Sequence, residues 1–187
     1  MPQKVFADII SLTMGPAMVY AMPLPEITER SSSHSIERAA VTHIIKHVFG
    51  SDAELMHTPD GAPYLSDYKN HISISHGGGY ALLAVCDSQA IGVDIECYRP
   101  QLKRVAPKFL APSEQDIYSQ SESLLLQAWT SKEAIFKVLG ISSLTISEII
   151  LPQNPEVFTF TTHGRLVTLY RDTLSDSMIT LATTNSL

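Results

Sequence analysis

The chain has 187 residues, of which 44% are hydrophobic and 17% charged, and its formal net charge is −6. This composition is typical of a soluble globular core and argues against a disordered chain. The acidic balance argues against a protein that binds nucleic acid through a general positive field. The length fits one ordinary domain or two small fused halves.

The cysteines and the N-terminal stretch bear on the compartment of the protein. Cys86 and Cys97 are too few for a disulfide framework, and they are not spaced as C-x-x-C. We interpret them as reduced thiols, which predicts a cytoplasmic protein. The apolar stretch 5–24 is interrupted by charged residues, glycine and proline, so we expect strands there and no signal peptide or membrane span.

The first half of the chain is predicted to place several strands around one long helix. A strand over 17–24 precedes a helix that begins near Ser31–Ser33 and ends at Gly50. Three further strands are predicted to follow one another as a meander, over 71–75 and 80–87 in this half and over 91–97 where the second half begins.

The second half repeats this order of elements. A long helix is predicted over Glu122–Leu139, with Ser121 as its N-cap and Gly140 just past its end. A hairpin over 156–171 and a last strand over 177–183 follow. The fold class is therefore α+β, with two similar halves, 1–91 and 92–187, each a long helix on a small and mainly antiparallel sheet.

Two carboxylates stand two residues apart in an apolar strand. Because alternate residues of a strand share a face, Asp94 and Glu96 are expected to project together, with Val93 and Ile95 in the core. Close carboxylates repel each other unless a cation lies between them, and ligands that are all oxygen favour Mg²⁺. On its own, the pattern is better explained by an ordinary amphipathic strand with a hydrated face.

A second polar cluster lies on the long helix of the second half. Glu133 and Lys137 are four residues apart and share a face, Trp129 lies one turn earlier, and Lys132 is offset by about 100°. Taken alone, Glu133 and Lys137 would be a surface ion pair worth about 0.3–0.5 kcal/mol. The functional interpretation depends on the joint occurrence of the two clusters.

Three segments in this order resemble the signature of the 4′-phosphopantetheinyl transferases. Gly92–Glu96 (GVDIE) matches the family's Gly-aliphatic-Asp-aliphatic-Glu strand, and Trp129–Lys137 (WTSKEAIFK) matches its aromatic-(Ser/Thr/Cys)-x-Lys-Glu-(Ala/Ser)-x-x-Lys helix. Ile72–Gly77 (ISISHG) is similar to the family's ISHS segment. The chain length resembles the two-lobed, surfactin-synthetase-activator type, which implies a pseudo-dimer within one chain and a monomer.

The resemblance implies a reaction and a metal site. Members of the family move phosphopantetheine from coenzyme A to a serine of an apo acyl or peptidyl carrier protein, and release adenosine 3′,5′-bisphosphate. Asp94, Glu96 and Glu133 would hold Mg²⁺ together with the pyrophosphate of coenzyme A. Glu133 is the candidate acceptor of the serine proton, directly or through a metal-bound water, and Glu96 is the second choice.

The resemblance also implies contacts to coenzyme A. His76 would contact a phosphate, and Ser75 would help to place the nucleotide. Lys137 would meet the α-phosphate, with a catalytic effect on the charge of the leaving group, and Lys132 would add positive charge nearby. Arg38 stands in the first helix where the family often has a basic residue against the nucleotide, although a hydrated helix arginine explains it equally well.

Two departures from the family pattern concern the phosphates. The family often has Gly-Lys-Pro where this chain has Gly61-Ala62-Pro63, so one usual contact to the 3′-phosphate of coenzyme A is absent. Gly77 and Gly78 replace the usual serine after the histidine, and their backbone amides would still allow a close phosphate approach.

A basic cluster follows the strand that carries Asp94 and Glu96. Arg99, Lys103, Arg104 and Lys108 form this basic cluster in an acidic chain. Carrier proteins are typically acidic around the modified serine, so the cluster is a candidate docking surface, and a hydrated helix face is an equal alternative.

Two other functions compete with an active transferase. The first is a catalytically silent relative that binds coenzyme A or a carrier protein without transfer, for which Ala62 is the support. The second is a general Mg²⁺-dependent phosphate hydrolase with coincidental motifs, against which the order of the three segments argues.

Overall fold

The structure of the protein, a computed structural model, describes residues 8–25 and 30–184. Within these ranges the chain forms ten strands, four α-helices and one short 3₁₀ turn over Ile146–Glu148. The strands are β1 (Ile10–Met14), β2 (Ala17–Pro23), β3 (Leu55–His57), β4 (Pro63–Leu65), β5 (His71–Gly77), β6 (Tyr80–Cys86), β7 (Ala90–Cys97), β8 (Thr159–Thr162), β9 (Arg165–Leu174) and β10 (Ser177–Thr184). The helices are α1 (Arg30–Phe49), α2 (Pro100–Phe109), α3 (Pro112–Tyr118) and α4 (Glu122–Leu139).

The strands form two antiparallel four-stranded sheets and a separate ribbon. The first sheet has the order β1-β2-β6-β5, the second has the order β7-β10-β9-β8, and β3 pairs with β4. Both sheets share one order of elements: a strand, a long helix and a later hairpin. The second strand of the hairpin pairs with the strand before the helix, so β6 pairs with β2 and β10 pairs with β7. The predicted α+β class is confirmed.

The predicted meander is wrong in its third strand. β5 and β6 pair as expected, but β7 pairs with β10, from Ala90 opposite Thr184 to Cys97 opposite Ser177. Sequence periodicity shows which face of β7 is apolar but does not show which strand edge it joins. The tertiary structure decides this, because β7 completes the second sheet.

The sheets stack face to face, and the two long helices cover their outer faces. Val93 and Ile95 of β7 are fully buried and pack with Leu82 and Ala84 of β6 in the core between the sheets. Other buried residues of β6 pack with α1, and β9 and β10 contribute buried residues to the core around α4. Apolar burial on both faces of the sheets is the main source of stability in this arrangement.

The predicted bounds of α4 are confirmed at both ends. Ser121 accepts a hydrogen bond from the amide of Leu124 at 3.1 Å, which satisfies one free N–H group of the first turn. Gly140 ends the helix with φ 58°, a conformation that favours glycine. These caps fix the length of the helix that carries Glu133 and Lys137.

Gly92 lets α4 lie directly on β7. A β-carbon at this position would overlap the carbonyl oxygen of Ala134 and would lie 2.7 Å from the amide nitrogen of Val138. Both are backbone atoms of α4, so neither can move away as a side chain would. The missing side chain therefore sets the distance between the strand of Asp94 and the helix of Lys137.

Gly92→Ala is expected to lower the free energy of unfolding by about 3 kcal/mol, since overlap with two backbone atoms forces the helix away from the strand. Urea denaturation measures this loss. Gly164→Ala is the matched control, because its β-carbon would meet nothing within 4 Å and only its positive φ of 74° opposes the change. Equal losses in the two variants would contradict the proposed close packing.

Candidate active site

The two sheets meet at a seam between strands β5 and β7. The amide of Val93 donates to the hydroxyl of Ser73 at 2.9 Å, and the amide of Ile95 donates to the hydroxyl of Ser75 at 3.4 Å. Both hydroxyls are buried, so they satisfy N–H groups on the free edge of β7. Ser73 was not among the predicted site residues. The sequence feature that could have identified it is the Ser-x-Ser alternation of β5, which places both hydroxyls on one face.

Asp94, Ser75 and Lys137 form a hydrogen-bonded network across this seam. The hydroxyl of Ser75 donates to Oδ1 of Asp94 at 2.8 Å. The ammonium of Lys137 donates to the same oxygen at 3.0 Å, to Ser75 Oγ at 3.2 Å and to the carbonyl of Val93 at 2.9 Å. The network joins β5, β7 and α4, and it brings three predicted site residues together.

The network opens into a cavity of about 360 Å³. Its walls combine the three sequence motifs. The lining residues are Ile74, Ser75, His76, Asp94, Glu96, Trp129, Glu133 and Lys137. The ring of Trp129 packs edge to face on Phe109 of α2, with centroids 5.0 Å apart.

Two carboxyl groups of this cavity favour the protonated state more than usual. Burial raises the pKa of Glu133 above its ordinary 4.5, and the negative charges of Asp94 and Glu96 add to this, while Lys137 opposes it. Burial also raises the pKa of Glu96, although its hydrogen bond from Arg99 works in the opposite direction. Mutual repulsion of this kind is relieved when a cation binds.

The carboxylates fit a metal ion in kind but are not assembled around one. In the described part of the chain, no group of three or more His, Cys, Asp or Glu side chains is arranged to hold a metal ion. Oδ1 of Asp94 is engaged by Ser75 and Lys137, and Glu96 is paired with Arg99. Oδ2 of Asp94 is buried and has no hydrogen-bond partner, which is the contact that a hard cation would supply. The predicted metal site of Asp94, Glu96 and Glu133 stays a prediction.

The structure corrects the predicted placement of Lys132. Its side chain is fully buried on another side of α4, where Nζ donates to Oε2 of Glu114 at 2.6 Å and to the carbonyl of Ile149 at 2.6 Å. It does not line the cavity of Asp94 and Glu133. Lys132 is offset on the helix from Glu133 and Lys137, and this offset was expected to place it beside the phosphates. It instead directs the side chain toward α3, where Glu114 lies.

A larger groove of about 1260 Å³ adjoins the cavity. Ile74, His76 and Lys137 line both spaces. The groove runs between α1, the β3–β4 ribbon and the C-terminal end of α4, and its wall includes the exposed Arg38 and Ala62. Arg38 and His76 therefore lie on the wall of one groove.

His76 is half-exposed and has an acidic neighbour. Its Nδ1 lies 3.6 Å from Oε2 of Glu37 on α1, and Oε1 of Glu37 accepts a hydrogen bond from Ser33 at 2.6 Å. Glu37 was not among the predicted site residues, because an isolated glutamate on a helix gives no signal of what it will face.

Comparisons with known proteins agree with these motifs. The family model described as the 4′-phosphopantetheinyl transferase superfamily matches residues 90–178. The 4′-phosphopantetheinyl transferase HetI of Nostoc sp. is 31% identical over 90 residues, which cover 44% of this chain and 38% of HetI. A 4′-phosphopantetheinyl transferase of Bacillus subtilis is 34% identical over 86 residues, which cover 43% of this chain and 38% of that protein.

The resemblance is therefore confirmed over residues 90–178, which match the model of the 4′-phosphopantetheinyl transferase superfamily. The matched part spans less than two-fifths of the length of these relatives. It includes Asp94, Glu96, Glu133 and Lys137, whereas Arg38, Ser75 and His76 lie outside it. Among the described residues, no helix combines the length and the apolar character that a membrane span needs.

Glu133→Gln is expected to stabilise the metal-free protein at pH 7.5 and to raise Tm by about 1–4 °C. The folded-state pKa of Glu133 is raised, so the native state holds its proton more tightly than the unfolded state. Stability is therefore lost as pH rises from 4.5 through the raised pKa, and the gain of the variant should vanish below pH 4.5. Urea or thermal denaturation in EDTA at several pH values checks this sign, and a variant that is less stable at pH 7.5 would contradict it.

Proposed function

We propose that the protein transfers 4′-phosphopantetheine from coenzyme A to a serine of an apo acyl or peptidyl carrier protein in a Mg²⁺-dependent reaction. The products are the holo carrier protein and adenosine 3′,5′-bisphosphate. The observation that carries the proposal is the network of Asp94, Ser75 and Lys137 at the junction of an acidic cavity and a large groove. A metal and a phosphate chain need this combination of oxygen ligands, a fixed cation and space.

Each residue of the cavity has a role in this proposal. Asp94, Glu96 and Glu133 would hold Mg²⁺, which would neutralise charge on the pyrophosphate of coenzyme A when bound. Lys137 is fixed by three hydrogen bonds and would place its ammonium against the α-phosphate, where negative charge grows as the bisphosphate leaves. Glu133 lines the same cavity and would accept the proton of the attacking serine, with Glu96 as the second choice.

The groove is the proposed binding place of the nucleotide part of coenzyme A. Arg38 and His76 lie on its wall and would contact phosphates. Ser75 lines the adjoining cavity and would help to place the nucleotide. Ala62 also lies on this wall, so the cation that the family often has there is absent. The exposed Arg38 is the candidate that compensates for it.

The carrier protein is proposed to dock on α2. Lys103, Arg104 and Lys108 are exposed on this helix, while Ala106 and Phe109 are buried beneath it. Phe109 contacts Trp129, so the basic face lies on a helix that also supports the wall of the cavity. An acidic carrier held there would bring its serine to the cavity with an electrostatic gain in association rate.

The finer family type is also a proposal. The shared order of strand, long helix and hairpin in the two sheets supports a fused pseudo-dimer of the two-lobed, surfactin-synthetase-activator type. Such a chain forms its cleft between its own halves, so we propose a monomer. We also propose that it acts in the cytoplasm, as its cysteine content predicts. Pairing of all of β7 within the second sheet favours a division of the halves just before Ala90 rather than at residue 91.

A catalytically silent protein that binds coenzyme A or a carrier is the alternative. Ala62 supports it, because a lost phosphate contact is what relaxed selection would leave. The four groups proposed for metal and phosphate binding argue against it, since Asp94, Glu96, Glu133 and Lys137 all line one cavity.

Incubation with coenzyme A, Mg²⁺ and an apo carrier protein is expected to add one phosphopantetheine group to the carrier, which mass spectrometry detects. Glu133→Gln is expected to reduce the rate by at least about 100-fold with the fold intact, because metal and proton acceptor are lost together. Glu122→Gln in the first turn of α4 is the matched control and should retain activity. Coenzyme A binding without transfer to any of several carriers would favour the silent alternative.

Lys103→Glu with Arg104→Glu is expected to raise the KM for the carrier by about tenfold and to leave the KM for coenzyme A unchanged, since only the docking surface changes sign. Steady-state kinetics with each substrate varied in turn measures both constants. The effect should shrink in high salt, because the charges are exposed. Equal effects on both constants, or no effect, would contradict docking on α2.

A further inference from the structure

Lys132 and Glu114 form a fully buried ion pair that holds three chain segments together. Nζ of Lys132 donates to Glu114 at 2.6 Å and to the carbonyl of Ile149 at 2.6 Å. Glu114 accepts two further bonds at 2.7 Å, from the amide of Ala111 to Oε2 and from the amide of Leu151 to Oε1. The pair therefore connects the start of α3, the middle of α4 and the segment after the 3₁₀ turn.

The two residues before Lys132 are also polar and fully buried, and each contacts a different strand. Oγ1 of Thr130 lies 2.8 Å from Oγ1 of Thr180 on β10, within hydrogen-bond distance. Oγ of Ser131 accepts a bond from Arg171 of β9 at 3.3 Å. Three successive residues thus hold this turn of α4 from three directions.

Apolar residues could fill this space at a similar stability, because a buried ion pair loses in desolvation much of what it gains in attraction. The ion pair differs from apolar contacts because its hydrogen bonds are directional. They fix the rotation of α4 about its axis and its position along that axis, which apolar contacts do not. Glu133 is the next residue and faces the acidic cavity, and Lys137 lies one turn further on the same face.

We propose that Lys132 is a positioning residue: paired with Glu114, it sets the rotation and height of α4 that bring Glu133 and Lys137 into the cavity, and it contacts no phosphate. This inference rests on the proposed function and assigns Lys132 a role different from the one that the family resemblance implied. An error of about 1 Å in the placement of reacting groups is enough to reduce a rate about 100-fold.

The double variant Lys132→Met/Glu114→Gln tests the role of the pair. It removes both charges together and leaves a carbonyl oxygen for one backbone amide, so we expect Tm within about 5 °C of the wild type. We expect kcat to fall at least about tenfold, the Mg²⁺ concentration for half-maximal rate to rise severalfold, and the Kd for coenzyme A to stay within about threefold. Wild-type kcat and Mg²⁺ dependence in a folded double variant would overturn the proposal.

Lys132→Arg provides a second arm that does not depend on the double variant folding. It retains the ion pair with a longer side chain, so we expect a stable protein with lowered kcat and unchanged affinity for coenzyme A. Lys137→Met is the reference for a true phosphate contact and should weaken coenzyme A binding at least about tenfold. A comparable weakening in either Lys132 variant with Tm unchanged would overturn the proposal.

Reductive methylation of the wild-type protein tests the same point without a transfer reaction. Lys132 is fully buried and should stay unmodified with or without coenzyme A, whereas the side chain of Lys137 is 29% exposed and should react unless coenzyme A protects it. Modification of Lys132 that coenzyme A prevents would overturn the proposal. An inactive wild-type protein would refute the proposed function and leave this labelling result valid.

Discussion

The contact of Lys137 with Asp94 and Ser75 is the interaction on which the arrangement of the candidate site depends. It joins a helix to strands of both sheets, and the ammonium also bonds the carbonyl of Val93. The side chain of Asp94 is only 8% exposed, and the cation and the Ser75 hydroxyl supply the polar contacts that a buried carboxyl group needs. The network therefore holds an acidic side chain and a lysine together at the junction of the two sheets.

Two glycines make this junction possible. Gly92 allows α4 to lie on β7, and a β-carbon at Gly77 would overlap the carbonyl oxygen of Ile95 and the carboxylate of Glu96. Ser73 and Ser75 then satisfy amides of the β7 edge. At both glycines the backbones lie in close contact, and side chains form the cavity walls. Burial in this cavity raises the pKa of Glu133 and of Glu96.

The motifs of the candidate site could be predicted from the sequence because their residues are only a few positions apart. At such spacings the regular geometry of a strand or helix decides which side chains share a face. The alternation of β7 predicted that Asp94 and Glu96 share a face, and the helical spacing predicted that Glu133 and Lys137 do. The same local information failed for Lys132, since the offset between two helix faces does not reveal what packs against each. Glu114, its partner, lies 18 residues earlier and is a helix-capping residue in its local context.

The sequence by itself determined the two long helices, most of the strands, the α+β class and the spacing of the two carboxylate clusters, because periodicity, caps and motif order are local properties of the chain. Only the tertiary structure decided that β7 leaves the meander for the second sheet, that Ser73 and Ser75 bridge the seam, and that Lys132 is buried with Glu114. These outcomes depend on which distant surfaces meet. That choice is set by the burial of apolar faces and by the pairing of buried polar groups across the whole molecule.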